Sequence, residues 1–88
     1  MSSENNPMRE VHSIPLWLLR EYLEDLGGTA VSETRITGAD WTATLTKLPP
    51  RAVGSLRVGQ VEVAFSGDES AILALKTQFH KKTMRAGA

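Results

Sequence analysis

At Gly27-Gly28 the hydrophobic period of the chain changes, and that change limits the fold class more than any other feature. Before the pair, Leu16, Leu19, Leu23 and Leu26 recur at helical spacing on one face, with Leu18 and Tyr22 widening it. Arg20, Glu21, Glu24 and Asp25 take the other side. Ser13-Ile14-Pro15 supplies the start, with Ser13 as the expected N-cap and Pro15 in the first turn, where its missing N–H costs nothing. The double glycine ends the helix because it accepts positive φ just past the last turn.

After the pair the period is two. Thr29–Thr37 is rich in Thr, Val and Ile, and Gly38-Ala39-Asp40 reads as a turn. Trp41, Ala43 and Leu45 then alternate with Thr42, Thr44 and Thr46, a half-buried strand with a hydroxyl-bearing outer face. Pro49-Pro50 is expected to stop it. Two further strands are expected at Val53–Val58 and Val61–Phe65. Between them Gly59-Gln60 has the form of a tight hairpin loop. That loop would set Val58 against Val61 and Arg57 against Glu62, burying Leu56, Val58, Val61, Val63 and Phe65 together. Ser66-Gly67-Asp68-Glu69 opens a second helix, capped by Asp68 or by a Ser66–Glu69 box. Its stripe of Ala71, Ile72, Leu75 and Phe79 runs to about Lys82. A short strand over Arg9–Ser13 completes the order β-α-β4-α. The expected architecture is α+β: a two-layer domain with an antiparallel sheet and two helices on one face.

Composition bounds the rest. At 88 residues the chain is one domain, expected over residues 9–84, with a disordered tail at 1–8 and a flexible C-terminus at 85–88. It has no cysteine, which excludes disulfides, thiolate nucleophiles and Cys-based metal sites. No apolar run approaches the ~20 residues that span a bilayer, and the start Met1-Ser2-Ser3-Glu4 is polar and acidic rather than basic then apolar. A cytoplasmic protein away from membranes is the expectation. Ten basic residues balance ten acidic ones, so bulk charge does not favour nucleic acid.

Residue types that carry chemistry are present without the spacing that chemistry needs. His12 and His80 form no metal-binding or catalytic motif, and a metal site on them would need a carboxylate such as Glu10 or Asp68 brought in by the fold. Serines 32, 55, 66 and 70 lack a nucleophile context. Glu24-Asp25 and Asp68-Glu69 are adjacent on helices or caps and diverge. No catalytic residue, metal ligand or cofactor is assigned, and a non-enzymatic protein is expected. Two surfaces remain. Trp17, with Leu18, makes the first helix more apolar than one stripe requires. Trp17 is either covered by the N-terminal segment or a protein contact, since aromatics are enriched where partners bind. Trp41, by contrast, belongs to the core. The basic end His80, Lys81, Lys82 and Arg85 complements the helix dipole, or alternatively meets an anion or nucleic acid. The outer sheet face carries no aromatic stacking platform, which disfavours nucleic acid, and that face is the alternative to Trp17 as the surface for a protein contact.

The helix ending in Gly27-Gly28, the strand start Gly54-Ser55-Leu56, the run Phe65-Ser66-Gly67-Asp68-Glu69 and the tail Lys82-Thr83-Met84-Arg85-Ala86-Gly87 together resemble a small domain. It is found at the C-terminus of some bacterial proteins related to MoaD, the sulfur-carrier subunit of molybdopterin synthase. The resemblance covers roughly residues 10–88 and implies a TBP-like layout. The carrier itself is a ubiquitin-like module ending in Gly-Gly. Here the one such pair, Gly27-Gly28, is internal, so the resemblance carries no thiocarboxylate chemistry to any residue. It implies an accessory or interaction domain beside a carrier supplied by another chain, in molybdenum-cofactor or sulfur-carrier pathways. Separately, the surplus at Trp17 leaves a monomer or a homodimer as the expected state.

Overall fold

A computed structural model describes residues 8–87, with side chains through Met84. Its elements are β1 (Arg9–His12), α1 (Leu16–Asp25), β2 (Thr29–Ser32), β3 (Arg35–Gly38), β4 (Trp41–Val53), β5 (Leu56–Gly67) and α2 (Glu69–Gly87). The five strands form one antiparallel sheet in the order β1-β5-β4-β3-β2. The α+β class and the antiparallel sheet agree with the sequence reading.

Strand alternation puts one row of apolar side chains on the helix side. Ile36 lies opposite Ala43, Ala43 opposite Phe65, and Leu45 opposite Val63. Leu19 and Leu23 of α1 and Ile72, Leu75 and Phe79 of α2 close over them as a single core. Phe79 is fully buried, its ring meeting Phe65 edge-on with centroids 5.8 Å apart. Trp41 is 8% exposed, a core residue as expected.

The helix ends follow local chemistry. Gly27, at φ 104°, and Gly28 donate their N–H groups to the carbonyls of Glu24 (3.1 Å) and Leu23 (3.0 Å), the crossed pair of bonds that terminates a helix at a left-handed residue. Ser13 does not cap α1. Pro15 holds the cap position and no side chain bonds the first turn. Asp68 caps α2 directly: its Oδ2 accepts from the Ala71 N–H at 3.0 Å and from the Ser70 hydroxyl at 2.5 Å. These two bonds, the hydroxyl's first, lower the Asp68 pKa. The helix continues to Gly87, past Lys82, where its apolar stripe stops.

The strand partition differs from expectation in three places. Thr29–Thr37 is a hairpin of β2 and β3 around Glu33-Thr34, with the Thr34 N–H bonded to the Ser32 hydroxyl at 3.2 Å. Pro49 and Pro50 do not end β4. They lie where the β4–β5 register shifts between Leu48 and Arg51, a bulge in which a missing N–H breaks no ladder bond. Gly59-Gln60 is not a turn either. The reversal occurs at Gly54-Ser55, with Gly54 at φ 61°, and β5 runs straight through Gly59. Because β5 is continuous, Leu56 and Val58 alternate onto the face opposite Val61, Val63 and Phe65. Leu56 is 67% exposed and Arg57 lies opposite Ala52, not Glu62, which instead meets Arg9 at 3.6 Å. The earlier turn wins because it pairs Trp41–Leu48 with Gln60–Gly67 and buries Trp41, Ala43 and Leu45 with Val61, Val63 and Phe65.

At the N-terminus Met8 belongs to the domain rather than to a tail. It packs against the core, and its carbonyl accepts the Phe65 N–H at 2.8 Å. The remainder of the expected tail, residues 1–7, and Ala88 lie outside the described residues.

Candidate functional site

The first turn of α1 faces the base of the β4–β5 hairpin, and the space between them is open. Leu19 and Leu23 turn into the core, which forces Trp17 outward; it is 54% exposed. Leu18 is half-buried and packs on the core, so the two residues singled out from sequence part company. One open cleft of about 620 Å³ lies between Ser13–Trp17 and the strand segments around Lys47 and Gln60. A second, of about 590 Å³, runs from Leu16 and Trp17 past Arg20 to Glu33 and Thr46. Leu16, Trp17 and Lys47 line both. Trp17 therefore stands as a ridge between two hollows, with Lys47 in the wall of both. The N-terminal strand does not cover it: β1 lies along β5, on the other side of the sheet order from β4.

A second constellation lies where β1 meets α2. Alternation along β1 points Glu10 and His12 to the helix side, opposite Val63 and Val61. On α2, Lys76 and His80 are one turn apart and face them. The Glu10 carboxylate binds His12 Nε2 (2.7 Å) through Oε1, and His80 Nε2 (2.7 Å) and Lys76 Nζ (3.2 Å) through Oε2. The His12 ring stands edge-on to Phe79 at 5.5 Å. Burial alone would raise the Glu10 pKa. Hydrogen bonds from His12 and His80, the His80 charge and Lys76 outweigh it, and the carboxyl falls from 4.5 to about 2.

Both histidines and a carboxylate thus converge, a meeting that spacing does not reveal because Glu10 and His80 are 70 residues apart. Each Nε2 is spent on a carboxylate oxygen, and among the described residues no group of three such side chains is arranged to hold a metal ion. The arrangement ties an edge strand to a helix. Sequence reasoning considered Glu10 beside the histidines but had no means of placing it, and missed Lys76 and Lys47. The one available signal was that Glu10 and His12 share a strand face.

The basic end of α2 does not present one patch. His80 turns toward β1, whereas Lys82 turns toward α1, 3.5 Å from Asp25 Oδ2 and 5.8 Å above the Tyr22 ring. Lys81 is exposed, and the Arg85 side chain lies outside those described. No described helix is long and apolar enough to cross a membrane.

No curated protein matches the chain. Residues 8–88, which take in every element above, match the family model described as archaeal MoaD-like protein. The chain belongs to that family.

Proposed function

We propose that this chain is a non-enzymatic interaction domain that works beside a sulfur carrier of the MoaD type and meets its partner through Trp17. The observation that carries this reading is the Trp17 side chain, 54% exposed on a ridge between two clefts. Leaving an indole in water forgoes roughly 25 cal/mol for each Å² that could be buried. Leu16 beside it and Lys47 in the cleft walls give the ridge an apolar body and a polar rim, the usual anatomy of a binding centre. Family membership supports the carrier as the partner.

The test is a titration of the ¹⁵N-labelled domain with a purified ubiquitin-fold sulfur carrier. The Trp17 indole N–H and the amides of Leu16 and Lys47 are expected to shift. Trp17→Ala should weaken binding about thirtyfold, the ~2 kcal/mol typical of a buried aromatic anchor, while its own spectrum stays dispersed. Collapse of the spectrum in Trp17→Ala, or unchanged affinity, overturns the reading.

A further inference from the structure

Beyond Lys47 and Val61 the β4–β5 hairpin leaves the sheet as a two-stranded ribbon. The β3 register on β4 stops at Thr44, and the β1 register on β5 stops at Val61. Past those points each ribbon strand has one edge with no partner among the described residues, and an unprotected edge is a template for another strand. The two edges are not equivalent. On β4 it is interrupted by the bulge and by Pro49 and Pro50, which lack N–H donors. On β5, residues 56–60 contain no proline and no register shift. The Phe65 N–H bonds the carbonyl of Met8, just before β1, so alternation along β5 sends the N–H and C=O groups of Arg57 and Gly59 to the same side, out of the free edge. After His12 the chain turns away into α1, leaving this stretch open beside the Trp17 cleft, whose wall includes Gly59, Gln60 and Val61.

The side chains state what fits there. From Lys47 to Val61 there are three cations, Lys47, Arg51 and Arg57, and no acid. Among the described residues none of the three is in a salt bridge. By strand parity Arg57 shares the face of Val61 and Lys47, while Leu56 and Val58 share the other. Arg51, opposite Val58, lies on that second face one strand further in, so a strand added at the β5 edge meets Arg57 on one side and the aliphatic Leu56 and Val58 on the other. A second copy of this ribbon would bring Arg57 toward its own counterpart, and like charges across an edge repel.

We infer that the free edge of β5 at residues 56–60 is a strand-addition site for an extended protein segment in which acidic and aliphatic residues alternate. This builds on the protein-contact reading but uses different atoms: backbone at Arg57 and Gly59 rather than the Trp17 ring.

The experiment uses the full chain and a labelled heptapeptide, acetyl-(Glu-Val)₃-Glu-amide. Saturable binding is expected, weakening at least tenfold between 50 and 500 mM NaCl. The Arg57 and Gly59 amide protons should shift and exchange more slowly. Gly59→Pro removes one edge N–H and should abolish binding; Gly59→Ala should bind as the parent does, because a Cβ at Gly59 meets nothing within 4 Å. Arg57→Glu should lose binding and gain affinity for the Lys-Val counterpart. The inference is overturned if the peptide does not bind at 50 mM NaCl, if Gly59→Pro binds normally, or if the Lys-Val peptide binds the parent equally well. It is also overturned if oligothymidylate shifts the same amides at lower concentration, which marks a nucleic-acid site, or if sedimentation shows ribbon-paired dimers that the peptide does not displace. A carrier that shifts Trp17 while the peptide fails leaves the interaction reading standing and removes this one; the reverse outcome removes only the role of Trp17.

Discussion

Replacing Glu10 by Gln tests whether a charge, rather than shape, fastens β1 to α2. The amide keeps the volume of the carboxylate and removes the charge that holds His12, His80 and Lys76. The carboxyl lies at about 2 instead of 4.5. At about 1.4 kcal/mol for each pH unit, that lowering sets a ceiling near 3.5 kcal/mol on what the ionised form contributes. The His80 side chain is 48% exposed, so water screens part of the interaction; about 2 kcal/mol is the expected cost of Glu10→Gln at pH 7.

The pH dependence has a fixed sign. A carboxyl whose pKa is depressed on folding contributes stability that is complete above its unfolded pKa and is lost as pH falls through the folded one. The part of the difference between parent and Glu10→Gln that belongs to the carboxyl should therefore shrink as pH falls through the window from 4.5 to about 2. Urea titrations at pH 7, 4 and 2 measure it, with the fluorescence of buried Trp41 as the signal over the background of exposed Trp17. A difference under about 0.5 kcal/mol at pH 7, the scatter expected for surface changes, refutes the electrostatic account. So does a difference that survives undiminished at pH 2, which would mean that the Gln simply packs badly.

Three further outcomes follow from the same structure. Leu56→Ala should change stability by less than about 0.5 kcal/mol in a urea melt, since the side chain is 67% exposed; a loss of 2 kcal/mol or more, typical of a core leucine, would favour a turn at Gly59-Gln60 instead. Gly38→Ala should destabilise by about 1–3 kcal/mol, because a Cβ there would fall 2.2 Å from Trp41 Cε2 and the indole is held in the core; a neutral result would show that the ring has room to move. Asp68→Ala should speed amide exchange in the first turn of α2 and lower the melting temperature, with Asp68→Asn, which still accepts the Ala71 N–H, losing less. Equal loss in both variants would assign the effect to charge rather than to capping.

Local signals were enough for the class of fold and for both helices. Leu19 and Leu23 announce the buried face of α1 by spacing alone, and Gly27-Gly28 announces its end, because both features depend on contacts within one or two turns. The strands were harder for a physical reason. Gly54-Ser55 and Gly59-Gln60 both have the sequence form of a two-residue loop with glycine first, and the choice between them depends on which turn gives Trp41–Leu48 a partner. That is a property of the whole sheet. The prolines misled for the same reason: their effect on a ladder depends on whether the opposite strand needs the missing N–H, and at a bulge it does not.

The site follows the same division. Trp17 was legible because an apolar residue beside a full hydrophobic stripe is surplus, whatever the rest of the chain does. The Glu10 cluster was not, since its members come from β1 and α2 and meet only when β5 brings an edge strand under the second helix. The ribbon edge was hidden by the turn error itself. With a reversal at Gly59-Gln60 those residues are a loop, and Leu56 and Val58 are core. With the reversal five residues earlier, they become a strand paired on one side only, whose faces are set by parity. The exposure of Leu56, which cost the hydrophobic reading a core residue, is thus the same fact that gives the strand-addition site its aliphatic face.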